Sequence, residues 1–323
     1  MNMTSNIHQP GADDLRPLVT QGLLRLLDLL KADGYRFITP TPATHRRVIR
    51  RPDKVHARSV RDVLGWSLPF TADVLPDALF DAMIEADVIR STLRGLRATI
   101  RVSSLGDDLF IHSAFPPSDD DAVFFGPDTY RFADFLEQEL RGGPKPENVI
   151  DIGAGSGAGA VVAARLTEPK RLLLTDVSDK ALDLARINLR AAGITADYRL
   201  GDGLEAVDDN ADLIIANPPF IADGGRTYRD GGDMHGARLS LDWAIAGASR
   251  LRPGGRMLLY TGSAIVGGDD PLRSALQAQL PADDYTLSYR ELDPDIFGEQ
   301  LKEKAYRDVE RIAAIGAVIT RKA

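Results

Sequence analysis

The sequence predicts an α/β fold with a doubly wound, mostly parallel sheet of seven strands and a smaller N-terminal α+β domain. After residue 122, short apolar strands alternate with helices at a spacing that requires parallel crossover connections. Before residue 117 the pattern differs, because helices come first and two alternating runs of hairpin type follow. The smaller domain is therefore expected to resemble a winged-helix module.

Composition excludes several classes of protein. The chain has 323 residues, a net charge of −8, no cysteine and five histidines. Disulfides and thiolate zinc sites are excluded, and the histidines lack metal-ligand spacing, so no metal site is expected. We find no run of apolar residues long enough for a membrane helix and no secretory signal. These features predict a cytoplasmic protein that makes no membrane contact.

The N-terminal part is predicted from three features. A helix is expected over Asp14–Leu30, one or two helices over 72–95 around Pro76, and a hairpin from Arg97–Ser103 and Asp108–Ala114. Between the helices, residues 46–61 carry seven basic side chains. That stretch is interpreted either as a solvated helical face or as a surface for RNA or a ribosome-associated partner.

Four segments follow from these patterns. They are a disordered tail (1–14), an N-terminal substrate-recognition domain (15–116), a linker (117–122) and a cofactor-binding catalytic domain (123–323). The predicted strands of the last segment are Asn148–Ile152, Arg171–Asp176, Asp197–Leu200, Ala211–Asn217, Arg256–Thr261, Tyr285–Glu291 and Arg311–Thr320. The predicted helices are Gly157–Leu166, Asp179–Ala192 and Leu239–Arg250.

A glycine-rich turn follows the first of these strands. The run Asp151-Ile152-Gly153-Ala154-Gly155-Ser156-Gly157 leads from a buried strand into a helix, where backbone N–H groups can face a ligand. Gly153, Gly155 and Ala158 also satisfy the dinucleotide pattern, and Asp176 would bind a ribose diol under either interpretation. The turn alone therefore leaves NAD, S-adenosylmethionine and a purely structural turn open.

Two later motifs favour S-adenosylmethionine. Gly201-Asp202 follows the third strand, where a carboxylate can accept a hydrogen bond from an adenine amino group. Asn217-Pro218-Pro219-Phe220 ends the fourth strand at the ligand-binding edge of the sheet. The two prolines make this tetrapeptide rigid and leave their carbonyls as free acceptors.

The tetrapeptide suits methylation of a planar nitrogen. The side-chain carbonyl of Asn217 and the backbone carbonyl of Pro218 can both accept hydrogen bonds from one NH₂ group. Phe220 can supply a flat face for an amide or a base. Two such acceptors favour the more positive nitrogen of the transition state, and in-line placement of an activated methyl group requires no strong general base.

These residues resemble the class I, Rossmann-like S-adenosylmethionine-dependent methyltransferases with an N-P-P-[FYW] motif, and the likeness covers roughly 122–262. The resemblance implies S-adenosylmethionine as cofactor, S-adenosylhomocysteine as product, and Asn217, Pro218, Pro219 and Phe220 as catalytic residues. The cofactor would be bound by Asp151, Gly153, Ala154, Gly155, Gly157, Asp176, Val177, Gly201, Asp202, Gly203, Asn217 and Thr129.

Within this class the chain is most similar to the release-factor glutamine N5-methyltransferases. The similarity lies in Phe125–Tyr130 with Asp128-Thr129, in Ile221, and in the Tyr228–Gly232 loop with Gly236. Phe220 departs from the tyrosine usual in that family, and the N-terminal domain also differs from it. The resemblance therefore implies a glutamine side-chain amide of a protein as acceptor, with a guanine or adenine base of RNA or DNA as the alternative.

Two other classes of function remain open from the residues. A nicotinamide-dependent oxidoreductase would use the same glycine turn, but the sequence shows no Tyr-x-x-x-Lys proton relay. A non-catalytic binding module would not require Asn217 or Asp176. Four glycines in the 222–234 loop indicate a mobile segment beside the site.

Overall fold

The computed structural model describes residues 12–116, 121–205, 207, 210–223 and 230–323. Residues 1–11 of the predicted tail and 117–120 of the predicted linker lie outside that set. The chain divides into two compact units, which we call unit 1 (Met1–Ile38 and Pro42–Leu109) and unit 2 (Thr39–Thr41 and Phe110–Ala323).

The described residues of unit 1 form four α-helices, and its strands follow the fourth. The helices are α1 (Ala12–Ala32), α2 (Pro42–Ile49), α3 (Val60–Leu64) and α4 (Asp77–Glu85). The strands are β1 (Ile89–Thr92), β2 (Gly95–Ala98) and β3 (Ile100–Leu105), and β4 (Asp108–Ser113) spans the division between the units. Helix α1 buries Leu26 and Leu30 completely, and its Gly22 lies so close to the backbone of Ala86 that any side chain would clash.

The prediction of helix throughout 72–95 is wrong after Ala86. Asp87 takes a left-handed conformation (φ 53°), and Ile89–Thr92 then pairs antiparallel with Gly95–Ala98 as a hairpin. A single bridge from Phe70 to Leu96 extends this small sheet. The β-branched residues of Ile89–Thr92 fit a strand better than a helix. The second predicted hairpin is present as the β3–β4 sheet, turning at Gly106.

The basic stretch 46–61 does not form one helical face. It runs through the end of α2, a 3₁₀ turn at Pro52–Lys54 and the start of α3. Lys54 binds Asp62 at 2.7 Å. The arginines of the stretch are exposed: Arg46, Arg47, Arg50, Arg51, Arg58 and Arg61.

A buried histidine lies beside this stretch. Burial, together with the charges of Arg101, Arg97 and Arg46, lowers the pKa of His45 to about 4. His45 is therefore neutral at pH 7 and adds no charge to unit 1.

Unit 2 is built on a seven-stranded sheet in the order β10-β11-β9-β8-β5-β6-β7. Its strands are β5 (Asn148–Ile152), β6 (Arg171–Asp176), β7 (Asp197–Leu200), β8 (Ala211–Ala216), β9 (Leu251–Ile265), β10 (Tyr285–Asp293) and β11 (Arg311–Arg321). Its helices are α5 (Pro127–Leu140), α6 (Ala158–Thr167), α7 (Asp179–Ala191), α8 (Arg238–Arg250) and α9 (Pro271–Gln279).

The predicted doubly wound sheet is confirmed. Strands β5 to β9 pair in parallel, whereas β11 pairs antiparallel with both β9 and β10. Strand β9 is longer than predicted, because it begins at Leu251 and includes Pro253-Gly254-Gly255 ahead of the predicted start at Arg256. The register between β8 and β9 shifts there, so the strand absorbs the irregular segment.

The central strands are apolar on both faces because helices cover both. Ile214, Ile215, Leu258 and Leu259 are fully buried, as the continuous apolar runs of β8 and β9 require. No helix among the described residues combines the length and apolar character that crossing a membrane would demand.

Glu168 provides a test of the way α6 ends. This C-cap residue has a left-handed backbone (φ 50°, ψ 57°), a conformation that favours glycine. We expect Glu168→Gly to raise the free energy of unfolding by about 1 kcal/mol, measured by urea denaturation. The exposed ion pair with Lys145 that it removes contributes little. Glu168→Ala is the matched control, since it loses the ion pair but keeps the strain. Equal stability of the two variants would contradict the assignment.

Candidate active site

The glycine turn lies between β5 and α6 and faces the end of β6. Gly153, Gly155 and Gly157 all have positive φ (65°, 53° and 77°), which explains why the sequence needs glycine there. The backbone N–H of Gly155 donates to Asp176 at 2.9 Å, and that of Ser178 donates to the other carboxylate oxygen at 3.0 Å. Burial raises the pKa of Asp176 despite these two hydrogen bonds.

Asp151 lies at the floor of the same turn. The residue is 2% exposed, and its Oδ2 atom has no hydrogen-bond partner among the described residues. Burial raises the pKa of Asp151 to about 8, opposed in part by a hydrogen bond from the backbone of Ala160 and assisted by the charge of Asp176. A buried carboxyl oxygen without a partner is costly, so this atom is suited to a ligand donor.

The turn after β7 is bonded to the end of β6. The N–H of Gly201 donates to the carbonyl of Asp176 at 3.0 Å, and the hydroxyl of Thr175 donates to the carbonyl of Gly203 at 2.9 Å. Asp202 is exposed, and Val177 is 49% exposed. The structure therefore brings Gly201–Gly203 and Asp176-Val177 together at one edge of the sheet.

The Asn217–Phe220 tetrapeptide follows β8, the neighbour of β5 on the other side. Ile152 and Ala216 are paired in register, so Gly153 and Asn217 leave the sheet side by side. Asn217 is half-buried. The ring of Phe220 is only 7% exposed, because it packs on Gly262 and lies edge-on to Phe297 at 5.5 Å. Little of its face is open in this conformation.

The segment after the tetrapeptide is fixed at both of its described ends. The hydroxyl of Tyr306 accepts a hydrogen bond from the N–H of Ala222 at 2.7 Å and donates to the carbonyl of His235 at 3.2 Å. The N–H of Gly231 donates to the carbonyl of Ile221 at 2.8 Å. Tyr228 and Arg229 of the predicted loop lie outside the described residues.

Three residues with left-handed backbones cluster here. Met234, His235 and Phe297 have φ near 55° (57°, 55° and 54°) although none is a glycine. Such strain is concentrated at functional sites in proteins.

Asp128 and Thr129 start helix α5 and are both buried. Tyr260 donates to Asp128 at 2.6 Å, and Arg131 bridges from Asp128 (3.5 Å) to Asp293 (2.9 Å). Burial raises the pKa of Asp128 despite the hydrogen bond from Tyr260 and the charge of Arg131. Thr129 accepts from the N–H of Gly126 at 3.2 Å and so caps the helix.

Four aromatic residues of this region were not predicted from the sequence: Trp243, Tyr260, Phe297 and Tyr306. Tyr260 stands in the predicted strand 256–261 and Trp243 in the predicted helix after the tetrapeptide, so position along the chain could have suggested both. Phe297 and Tyr306 lie in irregular segments with no sequence signal. Among the described residues, no group of three or more histidine or carboxylate side chains could hold a metal ion.

Comparison with known proteins finds methyltransferases. The family model of the methyltransferase small domain matches residues 128–264. Release factor glutamine methyltransferase of Enterococcus faecalis is 37% identical over 28% of this chain and 33% of its own length. The protein of the same name from Deinococcus radiodurans is 29% identical over 59% of this chain and 68% of its own length. Ribosomal RNA large subunit methyltransferase G of Streptomyces coelicolor is 34% identical over 36% of this chain and 30% of its own length.

The matched lengths limit what these relatives imply. The chain spans a third to about half of the first two curated relatives it matches. Among solved structures, that of wild-type Trm5b from Pyrococcus abyssi has a TM-score of 0.50 and 14% identity, covering 77% of this chain and 72% of that chain. This likeness concerns the fold. Residues 128–264 therefore match the methyltransferase small domain, and the resemblance to S-adenosylmethionine-dependent methyltransferases is confirmed for this part of the chain.

Proposed function

We propose that the chain is an S-adenosylmethionine-dependent N-methyltransferase that methylates a planar NH₂ group. The placement of Asn217 beside the glycine turn, inside a methyltransferase small domain, is the observation that carries the proposal. An asparagine carbonyl at this position can accept a hydrogen bond from the acceptor nitrogen next to the cofactor pocket.

The residues around the glycine turn fit the cofactor. The unpartnered Oδ2 of Asp151 offers an acceptor for the ammonium of the methionine part, where burial makes a charged hydrogen bond strong. Asp176 is already oriented by two backbone N–H groups and can accept from the ribose hydroxyls. Asp202 would bind the adenine amino group. When bound, the cofactor supplies a methyl group already activated on a positive sulfur.

Methyl transfer requires that the NH₂ group of the acceptor be oriented more than it requires a general base. The side-chain carbonyl of Asn217 and the backbone carbonyl of Pro218 would accept both hydrogens of the NH₂ group. Pro219 has no N–H and holds the chain extended. As the nitrogen becomes positive, these acceptors stabilise it, and a proton then leaves to solvent.

We propose a glutamine side-chain amide of a protein as the first acceptor. The relatives named release factor glutamine methyltransferase and the Asp128-Thr129 and Asp230-Gly231-Gly232 segments support it. The second candidate is a base of RNA or DNA, favoured by the exposed arginines of 46–61 and by the relative named for ribosomal RNA. That stretch would contact RNA or the ribosome. Both acceptors place the reaction in the cytoplasm.

Methyl transfer from labelled S-adenosylmethionine tests the acceptor. We expect label in purified release factors and none in a variant whose target glutamine is replaced by alanine. Label in ribosomal RNA alone would overturn the glutamine acceptor and support the base. Calorimetry with S-adenosylhomocysteine and NADH tests the cofactor, and binding of NADH alone would overturn the methyltransferase.

Asn217→Ala tests the catalytic assignment. We expect methyl transfer to fall on the order of 10²-fold or more, because an acceptor for the transition-state nitrogen is lost. The affinity for S-adenosylhomocysteine should change far less. Asn210→Ala is the matched control, since Asn210 is an exposed asparagine at the opposite end of β8. Unchanged turnover of Asn217→Ala would remove this residue from the mechanism.

The pH dependence of the free energy of unfolding, compared between the wild type and Asp151→Asn, tests the buried carboxyl group. Because the folded-state pKa of Asp151 is raised to about 8, the folded protein binds a proton that the unfolded chain releases near pH 4. Stability from this group is full below pH 4 and is lost as pH rises toward 8, by at most about 1.4 kcal/mol per pH unit. Urea denaturation without cofactor should show this slope in the wild type and its loss in Asp151→Asn.

Asp212→Asn is the control for that experiment. Burial would raise the pKa of Asp212, but hydrogen bonds from Asn148 and the charge of Arg252 outweigh it and hold the pKa below its usual value. This carboxyl is ionised in both states between pH 5 and 8, so its replacement should leave the slope unchanged. Parallel wild-type and Asp151→Asn curves would contradict the assignment.

A further inference from the structure

Trp243 stands on the second turn of helix α8 and reaches both glycine turns. A Cβ atom on Gly153 would lie 2.6 Å from Cη2 of the indole, and one on Gly203 would lie 2.9 Å from its Nε1. Real Cβ contacts are longer than this, so the indole fits only because both positions lack a side chain. One ring therefore spans the distance from the turn after β5 to the turn after β7.

The two glycines that it touches are conformationally fixed. Gly153 has φ of 65° and Gly203 has φ of 53°, a region that side chains disfavour. Each turn is also bonded to β6. The N–H of Ala154 donates to the carbonyl of Thr175 at 3.0 Å. The hydroxyl of Thr175 donates to the carbonyl of Gly203 at 2.9 Å. The indole thus packs against two turns whose backbones are bonded to β6.

Helix α8 connects Trp243 to the loop that follows the Asn217–Phe220 tetrapeptide. Leu239, in the first turn of α8, donates its N–H to the carbonyl of Gly231 at 3.0 Å, in the loop after Phe220. The indole is only partly buried, and its buried part rests on the core beneath β5 and β8. Part of the ring is therefore exposed beside the two turns.

We infer that Trp243 is a positioning residue for the cofactor, holding the turns of Gly153 and Gly203 at the spacing that an adenosine group requires. The inference rests on the proposed cofactor. A flat, rigid indole suits this task because it orders two loops at a small cost in side-chain entropy. Without it, the glycines on both sides would leave a gap between the turns.

The chain offers a direct optical test, because its only other tryptophan is Trp66 in unit 1. In a Trp66→Phe background, all tryptophan fluorescence comes from Trp243. We expect S-adenosylhomocysteine to change that emission in a saturable way, with the Kd found by calorimetry. In the reciprocal Trp243→Phe protein, the same titration should leave the emission of Trp66 unchanged.

The affinity for S-adenosylhomocysteine distinguishes a positioning role of Trp243 from a purely packing role. We expect Trp243→Ala to weaken S-adenosylhomocysteine binding about tenfold or more, and Trp243→Phe to retain the affinity within about threefold. Gly203→Ala should weaken binding strongly in the wild type and less in the Trp243→Ala background, because the clash with Nε1 is then gone. Trp66→Phe is the matched control and should bind as the wild type does.

The outcomes that would overturn the inference can be told apart. If the wild type binds S-adenosylhomocysteine while Trp243→Ala is less stable but binds equally well, Trp243 is only a packing residue and the proposed function stands. If the wild type binds no S-adenosylhomocysteine, the proposed cofactor fails and the inference fails with it. Should Trp243→Ala not fold, an unresponsive emission in the Trp66→Phe protein decides against the inference.

Discussion

The parallel pairing of β5 with β6 on one side and with β8 on the other is the constraint on which the site depends. The registers Ile152↔Thr175 and Ile152↔Ala216 end three strands at the same level. Asp176 and Asn217 therefore leave the sheet on either side of Gly153. A slip of one residue in either pair would turn every following side chain to the opposite face. The core packing of the apolar strands thus also fixes the positions of the polar groups above them.

The two buried carboxyl groups of this region, Asp128 and Asp151, differ in their hydrogen-bond partners. Asp128 is satisfied by Tyr260 and Arg131, so its burial is balanced by partners from this chain. Asp151 has an oxygen without such a partner in the part of the chain that the structure describes. A fold normally avoids this arrangement, because an unsatisfied buried acceptor costs about 1–3 kcal/mol. Asp128 thus has partners that balance its burial, and Asp151 is the carboxyl for which a ligand is proposed.

The sequence predicted those parts of the protein that follow from short-range patterns. A pattern in the local sequence predicts each of these parts: all seven strands of the sheet, the glycine turn and the tetrapeptide. The β1–β2 hairpin was missed because Ile89–Thr92 follows a helix without a turn motif, the left-handed residue being Asp87. Phe297 and Tyr306 were missed for another reason. Their roles depend on which distant residues they touch, and periodicity carries no information about that.

The contacts of Phe297 and Tyr306 also bear on the order in which the protein assembles. The strands and glycine turns proposed to bind the cofactor lie between 148 and 203 and form from nearby segments, whereas Trp243, which packs on two of those turns, comes later in the chain. Phe220 and Ala222, in contrast, gain their partners from residues 297 and 306, and the bond from Tyr306 to Ala222 spans 84 positions. Long-range closures of this kind are slow steps in folding. During synthesis, the strands and turns of the proposed cofactor pocket would emerge first, Trp243 would follow, and the contacts of Phe220 and Ala222 with residues 297 and 306 would form last.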